Sequence, residues 1–256
     1  MRYGLISFGT LLGVHLIAPS FVVSADLETI QERGYLIVAV KDNWRPLGFI
    51  DEHGTLAGFE IDIASRLAEV LLGDATAIVF HPVSNRDRIP AVLDGDVDIA
   101  IAGITNTAMR QRIIDFSEPY YLDGTALITN NPEIQNLSGL STAAIALIEG
   151  SDAVSHVNYR LPFATLIGVS SYQAALETIE SNAVSAVAGD VTVLTGWVQE
   201  HPEYRLLPHI LTAEPLSIVT PKGLQYDSLR RSINAAINEW HEEGWLEERA
   251  TYWGLP

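Results

Sequence analysis

A helix–strand unit occurs twice in this chain, and that repetition restricts the fold more than any other feature. The first copy runs Val83-Ser84, a helix over about 87–93, Asp94-Gly95, then the strand Val97-Asp98-Ile99-Ala100-Ile101-Ala102 and Gly103. The second runs Val169-Ser170, a helix over about 173–180, Ser181-Asn182, then Val184-Ser185-Ala186-Val187-Ala188-Gly189-Asp190. Strands alternating with helices predict a mainly parallel α/β architecture. Helix–strand units look alike in general, so the echo leaves open one large domain or two lobes; two lobes fit the length better. Open α/β sheets bind ligands beyond the carboxyl ends of their strands. Gly103 and Asp190, at matching positions, would then face each other across a cleft.

The segment after the first of these strands, Gly103-Ile104-Thr105-Asn106-Thr107-Ala108-Met109-Arg110, is read as a helix start. Thr107 is the expected N-cap, and the free N–H groups after it would point at an anion beside the Arg110 guanidinium fork. An arginine in a first turn is more often structural or solvated, so the assignment needs support from its surroundings.

Composition narrows the function. The first 25 residues begin with Arg2, are apolar from Leu5 to Val23 and end Val23-Ser24-Ala25, the pattern of a cleaved secretory leader. His15, Pro19 and Ser20 interrupt the run, which speaks against a spanning helix. Cysteine is absent, which removes disulfides, thiolate chemistry and a lipid-attachment cysteine, so the exported protein is expected free in the periplasm. With 15 Lys and Arg against 32 Asp and Glu the net charge is −17, which disfavours nucleic acid and anionic membrane as partners. Lys41, Arg45, Arg66, Arg86, Arg88, Arg110 and Arg112 nevertheless cluster in one stretch, consistent with a local positive site. Arg66 and Arg112 are read as helix-face solvation.

The Gly103 to Arg110 segment is flanked by Gly58-Phe59-Glu60-Ile61-Asp62-Ile63-Ala64-Ser65-Arg66-Leu67-Ala68-Glu69-Val70-Leu71 and by Phe116-Ser117-Glu118-Pro119-Tyr120-Tyr121. Together with Gly34-Tyr35-Leu36-Ile37-Val38-Ala39-Val40-Lys41, Arg88-Ile89-Pro90, Asp190 and Tyr252-Trp253-Gly254, they resemble the periplasmic solute-binding proteins for polar amino acids. The resemblance implies a type II two-lobed α/β fold. It places the first, discontinuous lobe at 26–124 and 217–256, the second at 129–211, and hinge strands at 125–128 and 212–216. A late helix with the apolar stripe Leu229, Ile233, Ala236, Ile237 and Trp240 would pack back on the first lobe, and Gly244 would end it.

It also implies a site. Arg110 and Thr105 match the family's carboxylate-binding pair, and the Gly103 carbonyl and Asp190 match its ammonium acceptors. Asp190 could equally cap the helix that follows it. Trp44 stands where relatives place an aromatic over the ligand's aliphatic chain, although core packing is the commoner fate of tryptophan. Lys41 and Arg88 match members resembling aspartate and glutamate binders, and a second buried carboxylate does need cations of its own. Arg86 is a reserve candidate. Asn85 replaces a second aromatic, which argues against a contact there. Ser151, at the start of a second-lobe helix, could offer N–H groups to the ligand or simply cap that helix, and Tyr172 matches a position that contacts acidic side chains in some relatives.

The expected function is thus the periplasmic binding component of an amino acid ABC importer, a monomer that captures glutamate or aspartate by lobe closure and delivers it to a permease with its ATPase. Glutamine is the alternative ligand. No metal or cofactor is expected. The acidic stretch Asp94-Gly95-Asp96-Val97-Asp98 fails as a calcium loop, because Ile99 and Thr105 occupy the positions that need glycine and glutamate. No nucleophile elbow, zinc helix or phosphate loop occurs. The fold also hosts cyclohexadienyl dehydratases and receptor ligand-sensing domains, which are the alternatives of another class.

Overall fold

The computed structural model describes residues 25–151 and 153–256; the expected leader lies, up to residue 24, outside the described residues. The chain opens with α1 (Leu27–Arg33), β1 (Leu36–Val40), β2 (Asn43–Trp44), β3 (Gly48–Ile50), β4 (Leu56–Ala57), α2 (Phe59–Leu72), β5 (Ile78–Pro82), α3 (Pro90–Leu93), β6 (Ile99–Ala100) and β7 (Asp115–Asp123). There follow β8 (Thr125–Thr129), β9 (Ala144–Ile148), α4 (Ala153–Arg160), β10 (Thr165–Val169), α5 (Tyr172–Glu180), β11 (Ala186–Asp190), α6 (Val191–Glu200) and β12 (Arg205–Leu206). The chain then returns through β13 (Glu214–Thr220), α7 (Asp227–Glu242) and α8 (Trp245–Tyr252).

These elements build two five-stranded sheets of the same plan, ordered β5-β1-β6-β13-β7 and β10-β9-β11-β8-β12. In each, three parallel strands are followed by antiparallel ones. The duplicated unit is visible as β5-α3-β6 and β10-α5-β11, with β6 and β11 both third in their sheets. Strand β1 reads as a near-continuous apolar run because helices cover both faces of a parallel sheet.

The first lobe's core joins β1 and β6 to α2, α7 and α8, and the stripe Leu229, Ile233, Ala236, Ile237 and Trp240 is wholly buried in it. The carboxylate of Asp62 on α2 ties down the C-terminal segment, accepting from Arg249 at 2.8 Å and from the Trp253 indole at 2.8 Å. Among the described residues no helix is long and apolar enough to cross a membrane.

The crossovers differ from expectation. Thr125–Thr129 is an integral strand of the second sheet, paired with β11 and β12, so the first crossing falls at Asp123 and Gly124. The two crossings are bound together: Thr125 N–H donates to Thr212 Oγ1 at 2.8 Å, and Leu211 N–H donates to the Thr125 carbonyl at 2.7 Å. The first sequence strand is also shorter in the ladder than 97–102, because only Ile99 and Ala100 pair in register before the chain turns at Gly103.

Candidate functional site

The site is built around Gly103, just past the carboxyl end of β6. Its φ of +62° is left-handed, and a Cβ there would lie 2.8 Å from the Trp44 ring, so glycine alone permits both the turn and the ring's approach. The Gly103 N–H donates to Glu60 Oε1 at 2.6 Å. Its carbonyl accepts from Arg88 Nη1 at 2.6 Å, and the same nitrogen reaches the Ala102 carbonyl at 2.7 Å. The carbonyl expected to take a ligand ammonium is thus already engaged by Arg88.

Thr107 does accept the Arg110 N–H, at 3.3 Å, but the expected helix is a single 3₁₀ turn over Arg110–Arg112. It cannot lengthen, because Ile114 enters the core and β7 begins at Asp115. Arg110 Nη1 donates to the Thr105 carbonyl at 2.8 Å, which leaves the remaining guanidinium N–H groups to other partners.

The cations form a chain of neighbours. Burial depresses the Arg88 pKa, and the adjacent Arg110 guanidinium depresses it further. Lys41 is 4% exposed, with Nζ 2.8 Å from the Val83 carbonyl, and its pKa is lowered by burial and then by Arg88. Asp190 lies at the end of β11 within electrostatic reach of Arg88. It occupies the N-cap position of α6, yet its side chain makes no capping bond. Asp123 from the hinge caps α6 instead, accepting the Thr192 N–H at 3.2 Å and its hydroxyl at 2.7 Å. Burial raises the Asp123 pKa despite those bonds. Tyr172 packs against Gly189, with its oxygen 3.4 Å from the Asp190 N–H.

Lys41, Asn43, Trp44, Ser84, Asn85, Tyr172, Asp190 and Val193 line a cavity of about 440 Å³ between the lobes. A second cavity of about 230 Å³ shares Asn43, Trp44, Tyr172 and Val193 and continues to Arg45, Gly196 and Glu200, so the two are chambers of one cleft. Arg86 is exposed and lines neither.

Ser151 lines a different pocket with Val154 and Asn158, and its hydroxyl donates to the Ile148 carbonyl at 2.7 Å. Asn85 lines the cleft as a polar side chain. Sequence reasoning missed Asn43, Ser84 and Glu60. Glu60 is fully buried, accepts from Gly103 and from the Tyr120 hydroxyl, and leaves Oε2 without a hydrogen-bond partner. Burial pushes its carboxyl up to about 7.

Residues 36–256 match the model of the bacterial extracellular solute-binding proteins, family 3. The chain belongs to that family. It is 28% identical over 230 residues to the ABC transporter glutamine-binding protein GlnH of Bacillus subtilis (strain 168), covering 89% of this chain and 84% of the relative. It is 31% identical over 199 residues to the glutamine-binding protein of Geobacillus stearothermophilus, covering 77% and 76%. A 103-residue stretch is 39% identical to cyclohexadienyl dehydratase of Pseudomonas aeruginosa, but spans 40% of this chain and 37% of that one. Among solved structures, the ancestral cationic amino acid solute binding protein AncCDT-1 superposes with a TM-score of 0.74 at 26% identity, covering 89% of this chain and 98% of that one. The two-lobed periplasmic-binding-protein fold is therefore that of the family.

Proposed function

We propose that this protein is the periplasmic substrate-binding component of an amino acid ABC importer, and that it captures an acidic L-amino acid for delivery to a permease and its ATPase. The observation that carries the ligand class is the electrostatic coupling of Lys41, which lines the cleft, to Arg88 and of Arg88 to Arg110, with burial and mutual repulsion depressing Arg88 and Lys41 although neither arginine lines a cleft chamber. Against them stand Asp190 and Glu60, whose carboxyl burial pushes up to about 7. A ligand with two carboxylates and one ammonium balances that surplus better than a neutral zwitterion, because unpaired buried charge is costly.

The geometry suggests a sequence of contacts. The α-carboxylate sits on Arg110, and the side-chain carboxylate draws Arg88 off the Gly103 carbonyl toward itself and Lys41. That movement frees the carbonyl, with Asp190, to accept the ammonium. The Trp44 ring over Gly103 excludes water from these pairs.

Glutamine is the second reading, favoured by the glutamine-binding relatives. Calorimetric titration of the ligand-stripped protein with glutamate, aspartate and glutamine tests the choice; tighter binding of glutamine would overturn the acidic assignment. A purely binding role is supported by the predominance of transport proteins among the relatives, and formation of aromatic product from prephenate or arogenate would overturn that.

A further inference from the structure

Glu60 is a polar group with an unusual position. It lies on the buried face of α2, beneath the ligand cleft rather than in it, and is 0% exposed. One oxygen holds the Gly103 N–H and the Tyr120 hydroxyl, and the other has no hydrogen-bond partner. Leaving a buried carboxylate oxygen unpartnered is costly, and the fold has an inexpensive remedy, which is to protonate it. The charged and titratable groups facing it are Tyr120 and Asp123 from β7, Arg88 from the loop before α3, and Lys41 at the end of β1. Of these, Arg88 and Lys41 are the cations that would meet a ligand carboxylate.

Resting on the reading of the cleft as an amino acid site, we propose that Glu60 is a positioning residue that aims the Gly103 peptide at the ligand and takes up a proton when a ligand carboxylate pairs with Arg88. The link is electrostatic. In the empty cleft the guanidinium favours the Glu60 carboxylate; once a ligand carboxylate neutralises the guanidinium, the buried carboxylate loses that support and is protonated. Because burial pushes its carboxyl up to about 7, the proton exchange is expected near neutral pH. Binding therefore tightens as pH falls through that range, since the bound state holds more protons than the free one. Gly103 is the mechanical part of the device, because its N–H is fixed by Glu60 while its carbonyl is shared with Arg88.

The test is calorimetric titration of the full mature protein with glutamate, and in parallel with glutamine, in phosphate and in Tris between pH 5.5 and 8.5. The difference in heat between buffers counts protons. For a one-unit rise in the Glu60 pKa, uptake should be on the order of 0.4 proton per glutamate at pH 7, and affinity roughly tenfold weaker at pH 8.5 than at pH 5.5. Glu60→Gln, which keeps an acceptor for the Gly103 N–H, should still bind while uptake disappears and the pH profile flattens. Tyr120→Phe removes a donor that favours the carboxylate, so it should move the midpoint of the profile to higher pH, a change that a merely structural role would not produce. Uptake that persists in Glu60→Gln, or that vanishes only in Lys41→Met, overturns the proposal and assigns the proton elsewhere. Glutamate failing to bind while glutamine binds would sink the acidic reading and this proposal with it, since glutamine brings no side-chain carboxylate to Arg88; uptake with glutamate that persists in Glu60→Gln sinks the proposal alone. Binding of neither overturns both.

Discussion

At the scale of single residues, the proposed reading divides the site into a part common to all amino acids and a part that distinguishes them. Arg110→Ala is expected to abolish binding of glutamate and glutamine alike, since it removes the partner of the α-carboxylate at a cost of several kcal/mol. Arg88→Ala should weaken glutamate by about 2 kcal/mol or more while leaving glutamine little changed, because specificity is a difference of two affinities. Titration of both variants with both ligands checks this, and an unchanged glutamate-to-glutamine ratio in Arg88→Ala would remove Arg88 from side-chain reading. The clustering of the cations is visible in the sequence, because basic residues are few and seven of the 15 fall between Lys41 and Arg112. Their partners are not: whether Arg88 meets a ligand or the Ala102 and Gly103 carbonyls depends on the path of the turn after β6. Glu60 was hidden for the same reason, since its partner Gly103 lies 43 residues away and no spacing signals the contact. Its elevated pKa has a consequence for the empty protein. A carboxyl whose folded pKa of about 7 exceeds its ordinary value of 4.5 binds protons more tightly in the fold, so it favours folding less as pH rises from 4.5 through 7. Glu60→Gln should therefore stabilise the ligand-free protein at pH 8 by up to ~3 kcal/mol relative to its effect at pH 4. Urea unfolding of both proteins at the two pH values measures the difference, and an equal effect at both would show that Glu60 does not titrate in that window.

Elements were easier to foresee than their ends. The duplicated β-α-β unit and the buried stripe of α7 are properties of periodicity, and a parallel sheet covered by helices leaves few other ways to bury them. The turn at Arg110 ended early because Ile114 and β7 claim the chain, a tertiary demand that no local pattern announces. The start of α6 shows the same limit. Asp190 has the residue type and position of an N-cap, yet the capping bonds come from Asp123, 69 residues before the Thr192 it binds, where the backbone crosses between lobes. This capping joins the first crossover to the amino end of the second-lobe helix that borders the cleft. Asp123→Ala should cost about 1–2 kcal/mol from the lost cap. Asp123→Asn keeps an acceptor for Thr192 and should lose less. Thermal denaturation ranks the three proteins; equal stability of the alanine variant and the parent would mean that water replaces the cap without loss.

At the scale of the whole molecule, the lobes meet along the second chamber and beyond it. Arg45 and Glu200, both lining that chamber, approach to 3.7 Å, and outside it Gln199 Nε2 donates to the Trp253 carbonyl at 2.6 Å. The tightest approach is at Gly196 on α6, where a Cβ would lie 2.0 Å from the Arg45 carbonyl oxygen. Two backbones this close cannot admit even a methyl group, so Gly196 is the residue that lets these surfaces come together. Gly196→Ala consequently separates two effects that usually travel together. Alanine in a helix interior is favoured over glycine by roughly 1 kcal/mol, so the second lobe should not lose stability. The lobes, however, should be held apart, and a ligand that touches only one of them forfeits the contacts of the other. Affinity is expected to fall at least tenfold, or about 1.4 kcal/mol. Hinge closure around a ligand is the established motion of periplasmic binding proteins, and a transporter can tell loaded from empty protein only by such a difference in shape. Small-angle scattering should therefore show the parent contracting on saturation with its amino acid, while Gly196→Ala at saturation keeps the ligand-free radius of gyration. If the variant contracts like the parent and binds as tightly, the contact between Arg45 and α6 yields under ligand, and closure does not depend on the absence of a side chain at Gly196.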